Sequence, residues 1–290
     1  MNTRVSTFII VLNWNGQKEL LRCLASLFQT MRPDMRMLVV DNGSTDGSVA
    51  AVRRLYPEVE LLELHENLGY AGGNNAGFRH VLKRNPEYVI FLNNDTVVAV
   101  DFAKHLIDGL LHDSLAGITV PKIYLLHSPR KLWYAGGEVR LQTGLIRHRG
   151  IRRADAPEFS ITGETGYATG CCFAMRSRDF LALGGFDERF GMYAEDVDLS
   201  LRVRERGMKV VYVPEAQLWH DVSASYGSAL HPRKLIQKTS ASLRLFMKYR
   251  AWSGLVLFLL FMPFRLAASM LDVLFLRGLT MVSFRRGGHS

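Results

Sequence analysis

Four short runs of β-branched and apolar residues, each parted from the next by a helix-length stretch, fill residues 6–92 and exclude most folds. Ser6–Trp14 (STFIIVLNW), Met35–Val40, Val59–Leu64 and Tyr88–Leu92 have strand length and read as buried strands of a parallel sheet. Between them, Lys18–Gln29 sets Leu20, Leu21, Leu24, Leu27 and Phe28 at helical spacing. Val49–Tyr56 is a short helix capped from Ser44–Asp46 and stopped by Pro57, and Phe78–Arg84 is a third helix closed before Pro86. Strand and helix alternating in this way predict a right-handed, doubly wound α/β sheet. Ligands of such sheets bind beyond the carboxyl ends of the strands.

Those strand ends are polar. The fourth strand runs into Asn93-Asn94-Asp95. Taken alone this is an Asn/Asp turn, but its position suits a hard divalent cation holding phosphates. Asp41 closes the second strand, where a carboxylate either accepts from a nucleobase or ribose or simply turns the chain before Asn42-Gly43. A calcium loop starting at Asp41 is excluded, because its closing Glu position is Val52. Asn67–Gly77 (NLGYAGGNNAG) lacks G-x-G-x-x-G and follows the third strand, so it is no dinucleotide fingerprint. Its glycines permit close backbone approach, with Gly72 and Gly73 near a helix N-terminus that favours an anion and Asn74 and Asn75 in reach of capping it.

After Thr96 the pattern loosens. Phe102–Leu111 reads as a helix, Gly117–Tyr124 as a strand, and Lys131–Gly150 as glycine-broken hairpins or a basic flap. Tyr167–Met175 is strand-like, Asp179–Leu183 a short helix, Glu195–Arg206 a longer one, and Lys209–Val213 a last strand before Pro214. Glu195-Asp196 opens its helix either as acids complementing the dipole or as a general base whose pKa the helix N-terminus holds down. His220 alone is a structural histidine. Together with a metal on Asp95 it would make a mixed N/O site, suited somewhat better to Mn²⁺ than to Mg²⁺.

A net charge of +9 over 290 residues points to an acidic partner: nucleic acid, an anionic lipid surface or a phosphorylated substrate. No nucleic-acid motif is present, so nucleic acid is set aside. Cys23, Cys171 and Cys172 make neither a disulfide framework nor zinc spacing, as in a reducing compartment. The N-terminus enters a strand at once without a secretory signal, so the active part is expected to face the cytoplasm.

From His231 the character changes. Leu235, Leu243, Phe246 and Tyr249 share much of one helical face among Lys234, Lys238, Arg244, Lys248 and Arg250. Ala251–Phe264 (AWSGLVLFLLFMPF) is as apolar as a membrane segment but shorter than the roughly 20 residues needed to span. Arg265, Asp272 and Arg277 interrupt the residues beyond it, and Arg285-Arg286 flank the end. A span through Arg265 is disfavoured by about 2.5–3.5 kcal/mol. Between a buried core helix and a helix lying in the cytoplasmic leaflet on anionic headgroups, the second is expected.

Val11–Gly16 (VLNWNG), Val39–Ser48 (VVDNGSTDGS), Asn67–Gly77, Phe91–Thr96 (FLNNDT), Thr169–Cys172 (TGCC), Gly184–Phe190 (GGFDERF) and Tyr193–Asp198 (YAEDVD) occur in that order. Together they resemble the inverting, nucleotide-sugar-dependent glycosyltransferases of family 2, and most of all the rhamnosyltransferase-type members that extend lipid-linked bacterial polysaccharides. The resemblance implies a GT-A fold, a Rossmann-like mixed sheet flanked by helices, over residues 1–230. A C-terminal helical membrane-associating extension would cover residues 231–290. It also implies residue roles. Asn13 and Asp41 would contact the nucleoside, and Asn67, Gly69, Gly72, Asn75, Asn93 and Asn94 would line the donor site. Asn93 and Asp95 fall on the D-x-D positions, with Asp95 and His220 as ligands of Mn²⁺ or Mg²⁺. Glu195-Asp196 supplies the base, Asp196 preferred. Thr169, Gly170, Arg147 and Arg149 would face the acceptor, although the arginines equally suit a solvated basic loop.

The implied reaction moves a sugar, best L-rhamnose from dTDP-L-rhamnose, to a saccharide hydroxyl on a polyprenyl-diphosphate-linked acceptor. It would serve cell-surface polysaccharide synthesis at an anionic membrane, on the cytoplasmic face of the inner membrane, with the oligomeric state open. One departure matters: Asn93 replaces the first acid of D-x-D, so metal affinity without nucleotide is expected to be low. The rival is a catalytically inactive nucleotide-sugar-binding scaffold of the same fold, against which the intact Asp95, His220 and acid pair argue.

Overall fold

The structure, a computed structural model, describes residues 6–222 and 232–263, and of 232–234 only the backbone. Two compact units make up the chain: residues 1–139 with 146–227, and residues 140–145 with 228–290. The domain boundary expected at 230/231, and the expected extension beyond 263 with Arg265, Asp272, Arg277, Arg285 and Arg286, lie outside the described residues.

In the first unit the alternating pattern becomes β1 (Thr7–Asn13), α1 (Gln17–Phe28), β2 (Met35–Asp41), α2 (Ser48–Leu55), β3 (Glu60–Glu63), α3 (Gly69–Leu82) and β4 (Tyr88–Asn93). β1 pairs in parallel with β2 on one side and with β4 on the other, and β3 lies outside β2. Consecutive residues of β1 and β4 are buried, so both faces of the sheet are covered, as unbroken apolar runs require. There follow β5 (Thr96–Val98), α4 (Phe102–His112), β6 (Ala116–Leu125), β7 (Ser128–Tyr134), β8 (Gly137–Arg140), β9 (Leu145–His148), β10 (Gly163–Thr165), β11 (Cys172–Arg176), α5 (Ser177–Ala182), α6 (Glu195–Glu205) and β12 (Lys209–His220). The sheet order is β10-β12-β6-β11-β4-β1-β2-β3, with β7 on β6 and β5 on β12. β11 runs antiparallel to both neighbours, which makes the sheet mixed.

Three expectations are corrected. The glycine-rich Asn67–Gly77 stretch is mostly helix, because α3 begins at Gly69. Its glycines serve packing: a Cβ on Gly77 would sit 2.7 Å from Val40 and 2.9 Å from Ile10, and one on Gly73 2.5 Å from Leu12. Tertiary packing thus overrides the poor helix propensity of glycine. Second, Tyr167–Met175 is a strand only from Cys172, and the backbone before it turns through Gly170.

Third, β12 does not stop at Pro214. A register shift between Val213 and Gln217 absorbs the proline, and the strand continues to His220. That continuation sets His220 opposite Thr96 of β5, which brings the distant ends of the chain's polar motifs together. Beneath the site, the ring of Phe91 meets Phe173, Phe180 and Phe186 at 5.0, 4.7 and 5.4 Å, so the Gly184–Phe190 motif is fixed under β4.

The second unit holds α7 (Pro232–Lys248), a helical stretch over residues 252–263, and a 3₁₀ turn at Leu141–Thr143. Ala241, Leu245, Phe246 and Ala251 are its buried apolar residues in the 235–263 range.

Candidate active site

The parallel register sets Asn13 beside Asp41 and Leu12 beside Asn93, so three strand ends meet at one edge. Asn13 is wholly buried and Asp41 nearly so. Asn94 Nδ2 donates to Asn13 Oδ1 at 2.7 Å, and Asn13 Nδ2 donates to Asp41 Oδ1 and Ser44 Oγ, both at 3.2 Å. The Ser44 amide donates to Asp41 Oδ2 at 2.9 Å. A Cβ on Gly16 would press on Asn94 Nδ2 and disturb its bond to Asn13. Asn13, Asp41 and Asn94, each read from sequence as a nucleoside or donor contact, thus first hold one another.

Asn42, which sequence reasoning passed over as a turn residue, pins the start of α3. Its Oδ1 accepts from the Leu68 amide at 2.9 Å, and its Nδ2 donates to Asn67 Oδ1 at 2.9 Å and the Gly69 carbonyl at 3.1 Å. Gly69 has φ +73°, and a Cβ there would lie 2.9 Å from the Gly191 carbonyl. A Cβ on Gly72 would press on Leu68 at 2.8 Å. Asn75 spends both N–H donors on the Phe186 carbonyl and Glu188 Oε1, each at 2.9 Å, while its Oδ1 accepts from the Phe186 amide at 2.9 Å. Gly69 and Asn75 therefore brace the 186–191 segment, while Asn67 and Gly72 pack at the start of α3 against Asn42 and Leu68.

Opposite this frame, His220 Nε2 approaches Asp95 Oδ1 to 3.1 Å, and the Asp221 amide donates to the Asp95 carbonyl at 2.8 Å. Both residues are more than nine-tenths buried, and beyond that ion-pair contact Asp95 Oδ1 and His220 Nδ1 have no hydrogen-bond partner among the described residues. Buried polar atoms without partners mark a place where something else binds. A carboxylate oxygen and an imidazole nitrogen so disposed fit Mn²⁺ or Mg²⁺. Among the described residues no cluster of three or more His, Cys, Asp or Glu side chains gathers there. The Asn93 side chain has no hydrogen-bond partner among the described residues. Trp133, which no sequence signal singled out, sets its ring edge-on to His220 at 4.4 Å and to His148 at 4.5 Å.

The acid pair stands at the start of α6. Tyr193 and Ala194 take left-handed φ of +74° and +66°, a conformation that costs a non-glycine residue about 1–2 kcal/mol. Asp196 Oδ2 then accepts from the Gly170 amide at 2.8 Å and Oδ1 from the Val197 amide at 2.7 Å. Gly170 is fixed in turn by Tyr70, whose hydroxyl donates to its carbonyl at 2.5 Å and whose ring would lie a tight 3.2 Å from a Cβ there. The next residue, Cys171, accepts the Asn93 amide at 2.9 Å, so one two-residue segment ties the acid pair to the end of β4. Burial raises the Asp196 pKa against the pull of those two amides, and burial with the Asp196 charge pushes Glu195 well above the usual carboxylate range. The expectation that the helix N-terminus holds the base's pKa down is corrected. Desolvation outweighs it. Glu195 Oε2 is buried without a partner.

Of the expected acceptor residues, Thr169 is buried with Oγ1 3.4 Å from the Cys171 amide, and Gly170 serves Asp196. Arg149 donates to the Ala135 carbonyl at 2.6 Å and stacks on Tyr212, and Arg147 is exposed but paired with Glu138 at 2.9 Å. Both arginines have protein partners, and of the two Arg147 is the exposed one. Burial holds His148 near pKa 4, hence neutral. The three cysteines are free and buried, and Cys23 is pushed up to about 12, which excludes thiolate chemistry.

Comparison with known proteins agrees with this geometry. The profile of Glycosyl transferase family 2 matches residues 8–184. N-acetylglucosaminyl-diphospho-decaprenol L-rhamnosyltransferase of Mycobacterium tuberculosis is 30% identical over 242 residues, covering 76% of this chain and 77% of that protein. The O-antigen biosynthesis protein RfbC of Myxococcus xanthus is 27% identical over 84% of this chain and 19% of its own length. Among solved structures, the mannosyltransferase PcManGT of Pyrobaculum calidifontis, in complex with GDP-Man and Mn²⁺, superposes with a TM-score of 0.60 at 20% identity, over 84% of this chain and 63% of that one.

Proposed function

The chain belongs to glycosyl transferase family 2, as an enzyme of the rhamnosyltransferase type, and from that premise we propose that it transfers L-rhamnose from dTDP-L-rhamnose, with inversion, to a saccharide hydroxyl carried on a polyprenyl diphosphate. The observation that carries the mechanism is the Asp196 carboxylate, aimed by the Gly170 and Val197 amides and made more basic by burial. The donor and acceptor classes rest on the Mycobacterium tuberculosis relative, whose name joins L-rhamnose to an N-acetylglucosaminyl-diphospho-decaprenol.

Asp196 takes the proton of the acceptor hydroxyl while that oxygen bonds to the anomeric carbon. The bond from that carbon to the nucleoside diphosphate breaks on the opposite face, and its electron pair leaves with the diphosphate. The reacting sugar passes through an oxocarbenium-like state, as in other glycosyl transfers. Asp95 and His220 would hold Mn²⁺ or Mg²⁺, which neutralises charge on the departing diphosphate when bound. Asn13, Asp41 and Asn94 frame the nucleoside end, and Asn93 offers the diphosphate a neutral amide where family members carry an acid. On the acceptor side, Thr169 and Gly170 lie beside the base, and the exposed Arg147 can exchange Glu138 for a phosphate.

The net charge of +9 and a lipid-linked acceptor favour work at an anionic membrane, on the cytoplasmic face of the inner membrane. No helix of the described residues is long and apolar enough to cross a membrane. The test incubates the full chain with a panel of nucleotide-sugars, Mn²⁺ or Mg²⁺, and a polyprenyl-diphosphate-linked N-acetylglucosamine. The expected result is dTDP release from dTDP-L-rhamnose that requires both acceptor and metal. Release from another donor alone would replace rhamnose, and no acceptor-dependent release from any donor would sink the reading.

A further inference from the structure

Residues 252–263 form a helix without one charged side chain. One of its sides is spoken for within the second unit. Ser253 Oγ donates to the Gln142 carbonyl at 2.9 Å, and Phe258 meets Phe246 of α7 at 5.5 Å. Gly254 lies so close to the Leu141 carbonyl that no Cβ fits. The other side is apolar and exposed among the described residues, and Phe261, elsewhere on the helix, is 55% exposed as well. Trp252, Val256, Leu259 and Leu260 are 59%, 56%, 45% and 62% exposed. At 3.6 residues per turn these four fall within about 100° of arc, the width of a helix face that normally points into a core. Just before them, Arg244, Lys248 and Arg250 are exposed.

We propose that Trp252, Val256, Leu259 and Leu260 are an insertion face that lies in an anionic bilayer, with Arg244, Lys248 and Arg250 on its headgroups. The proposal builds on the reading of a lipid-linked acceptor and names the surface that meets the lipid. Three features select this occupant. The uncharged run Ala251–Phe264, ended in the sequence by Arg265, would be about 21 Å long as a helix, short of a hydrocarbon core of about 30 Å, and so suits the interface. A tryptophan opens it, and an indole prefers the headgroup boundary. Exposed cations precede the apolar face in the sequence, at Arg244, Lys248 and Arg250, as on helices that bind anionic surfaces. Four side chains on three turns also fall well short of the 20–30 residues a side of a stable dimer.

The test is flotation of the full chain with vesicles of phosphatidylglycerol in phosphatidylcholine, against phosphatidylcholine alone. Binding is expected to need the anionic lipid and to weaken with salt. The double substitution Val256→Glu/Leu260→Glu should lower vesicle partition roughly tenfold or more, with donor binding unchanged as the measure of an intact first unit. In parallel, acyl-chain-brominated lipid should quench the wild-type tryptophan emission, and Trp252→Phe should remove that quenching without depending on the fold of the double variant. Equal partition of the double variant, or equal quenching after Trp252→Phe, overturns the proposal. So does a lipid-free dimer that Val256→Glu/Leu260→Glu dissociates, or protection of a cysteine placed at 260 from labelling before any lipid is added. Failure of transfer to every lipid-linked acceptor, with lipid binding intact, would refute the acceptor reading and leave the insertion face standing.

Discussion

The two sides of the candidate site are built on opposite terms. On the side of Asn13, Asp41, Ser44 and Asn94, buried and half-buried polar groups satisfy one another through four hydrogen bonds of 2.7–3.2 Å. At Asp95, His220 and Glu195, the atoms Asp95 Oδ1, His220 Nδ1 and Glu195 Oε2 are buried with no hydrogen-bond partner among the described residues beyond the approach of His220 Nε2 to Asp95 Oδ1. A buried polar atom left unsatisfied costs about 1–3 kcal/mol. The first side is therefore complete when empty and acts as a frame. The second carries a cost that, in the proposed reaction, a metal, a diphosphate or an acceptor would relieve. Substitutions on the two sides should accordingly fail in different ways.

The largest effect is expected at the base. Asp196→Asn keeps the shape but cannot take a proton, and should lower kcat by about 10²–10⁴-fold with nucleotide binding nearly intact. Calorimetric titration with dTDP separates the two, and unimpaired turnover would move the base to Glu195. Asp95→Ala comes next. It should weaken metal-dependent donor binding by at least the roughly 10–100-fold seen when a metal site loses even an outer-shell partner. A metal titration that does not change would remove Asp95 from the ligand set.

The sharpest contrast is one of sign. Asn13→Ala deletes three hydrogen bonds of the frame and should destabilise the fold by about 2–4 kcal/mol in a denaturant titration. Glu195→Gln should do the reverse at neutral pH. Burial and the neighbouring Asp196 charge raise the Glu195 pKa in the folded chain. Below about pH 4 folded and unfolded chains both hold that proton, and the residue contributes nothing. As pH rises from there toward the folded pKa, the unfolded chain gives up its proton and the folded chain does not, so the fold loses stability. The Tm gain of Glu195→Gln is therefore expected to be absent at pH 3.5–4 and to grow toward pH 7, in the manner of a site that trades stability for function. A loss of Tm at pH 7 would place Glu195 with the frame.

The frame is the easier side to read from sequence. Val11, Val39 and Phe91 sit in unbroken apolar runs whose polar ends have to emerge at one edge, so periodicity finds the strand ends at Asp41 and Asn93–Asn94, and Asp95 of the other side with them, while the role of Asn13 comes from the family resemblance. What periodicity does not give is which of them binds and which braces. Asn75 and Asn67 look like ligand residues in a glycine-rich stretch, yet their partners, Phe186, Glu188 and Asn42, lie elsewhere in the chain, and only folding brings them together. The reach of His220 is hidden for a local reason, because Pro214 suggests the end of a strand that a bulge in fact carries onward. Trp133 leaves no local trace, since its position against His220 depends on where β7 lands on β6. The raised Asp196 pKa escapes sequence reasoning because the helix dipole is local and visible there, whereas desolvation is tertiary and is not.

Tyr70 joins the two sides and gives the smallest and most discriminating prediction. It belongs to α3 of the frame, and its hydroxyl holds the Gly170 carbonyl, whose residue in turn donates to the base. Tyr70→Phe keeps the ring that fills the space over Gly170 and removes one hydrogen bond, so the fold should lose only about 0.5–1.5 kcal/mol. If the frame merely supports the reacting side, activity should not change beyond that. If the hydroxyl also aims Gly170, the amide bond to Asp196 Oδ2 loosens and the base loses an interaction that lowers its pKa. The acid limb of the kcat–pH profile should then move to higher pH, with kcat down about 2–5-fold at neutral pH and the donor KM unchanged. A stability loss without movement of that limb would show that the two sides are coupled by packing alone.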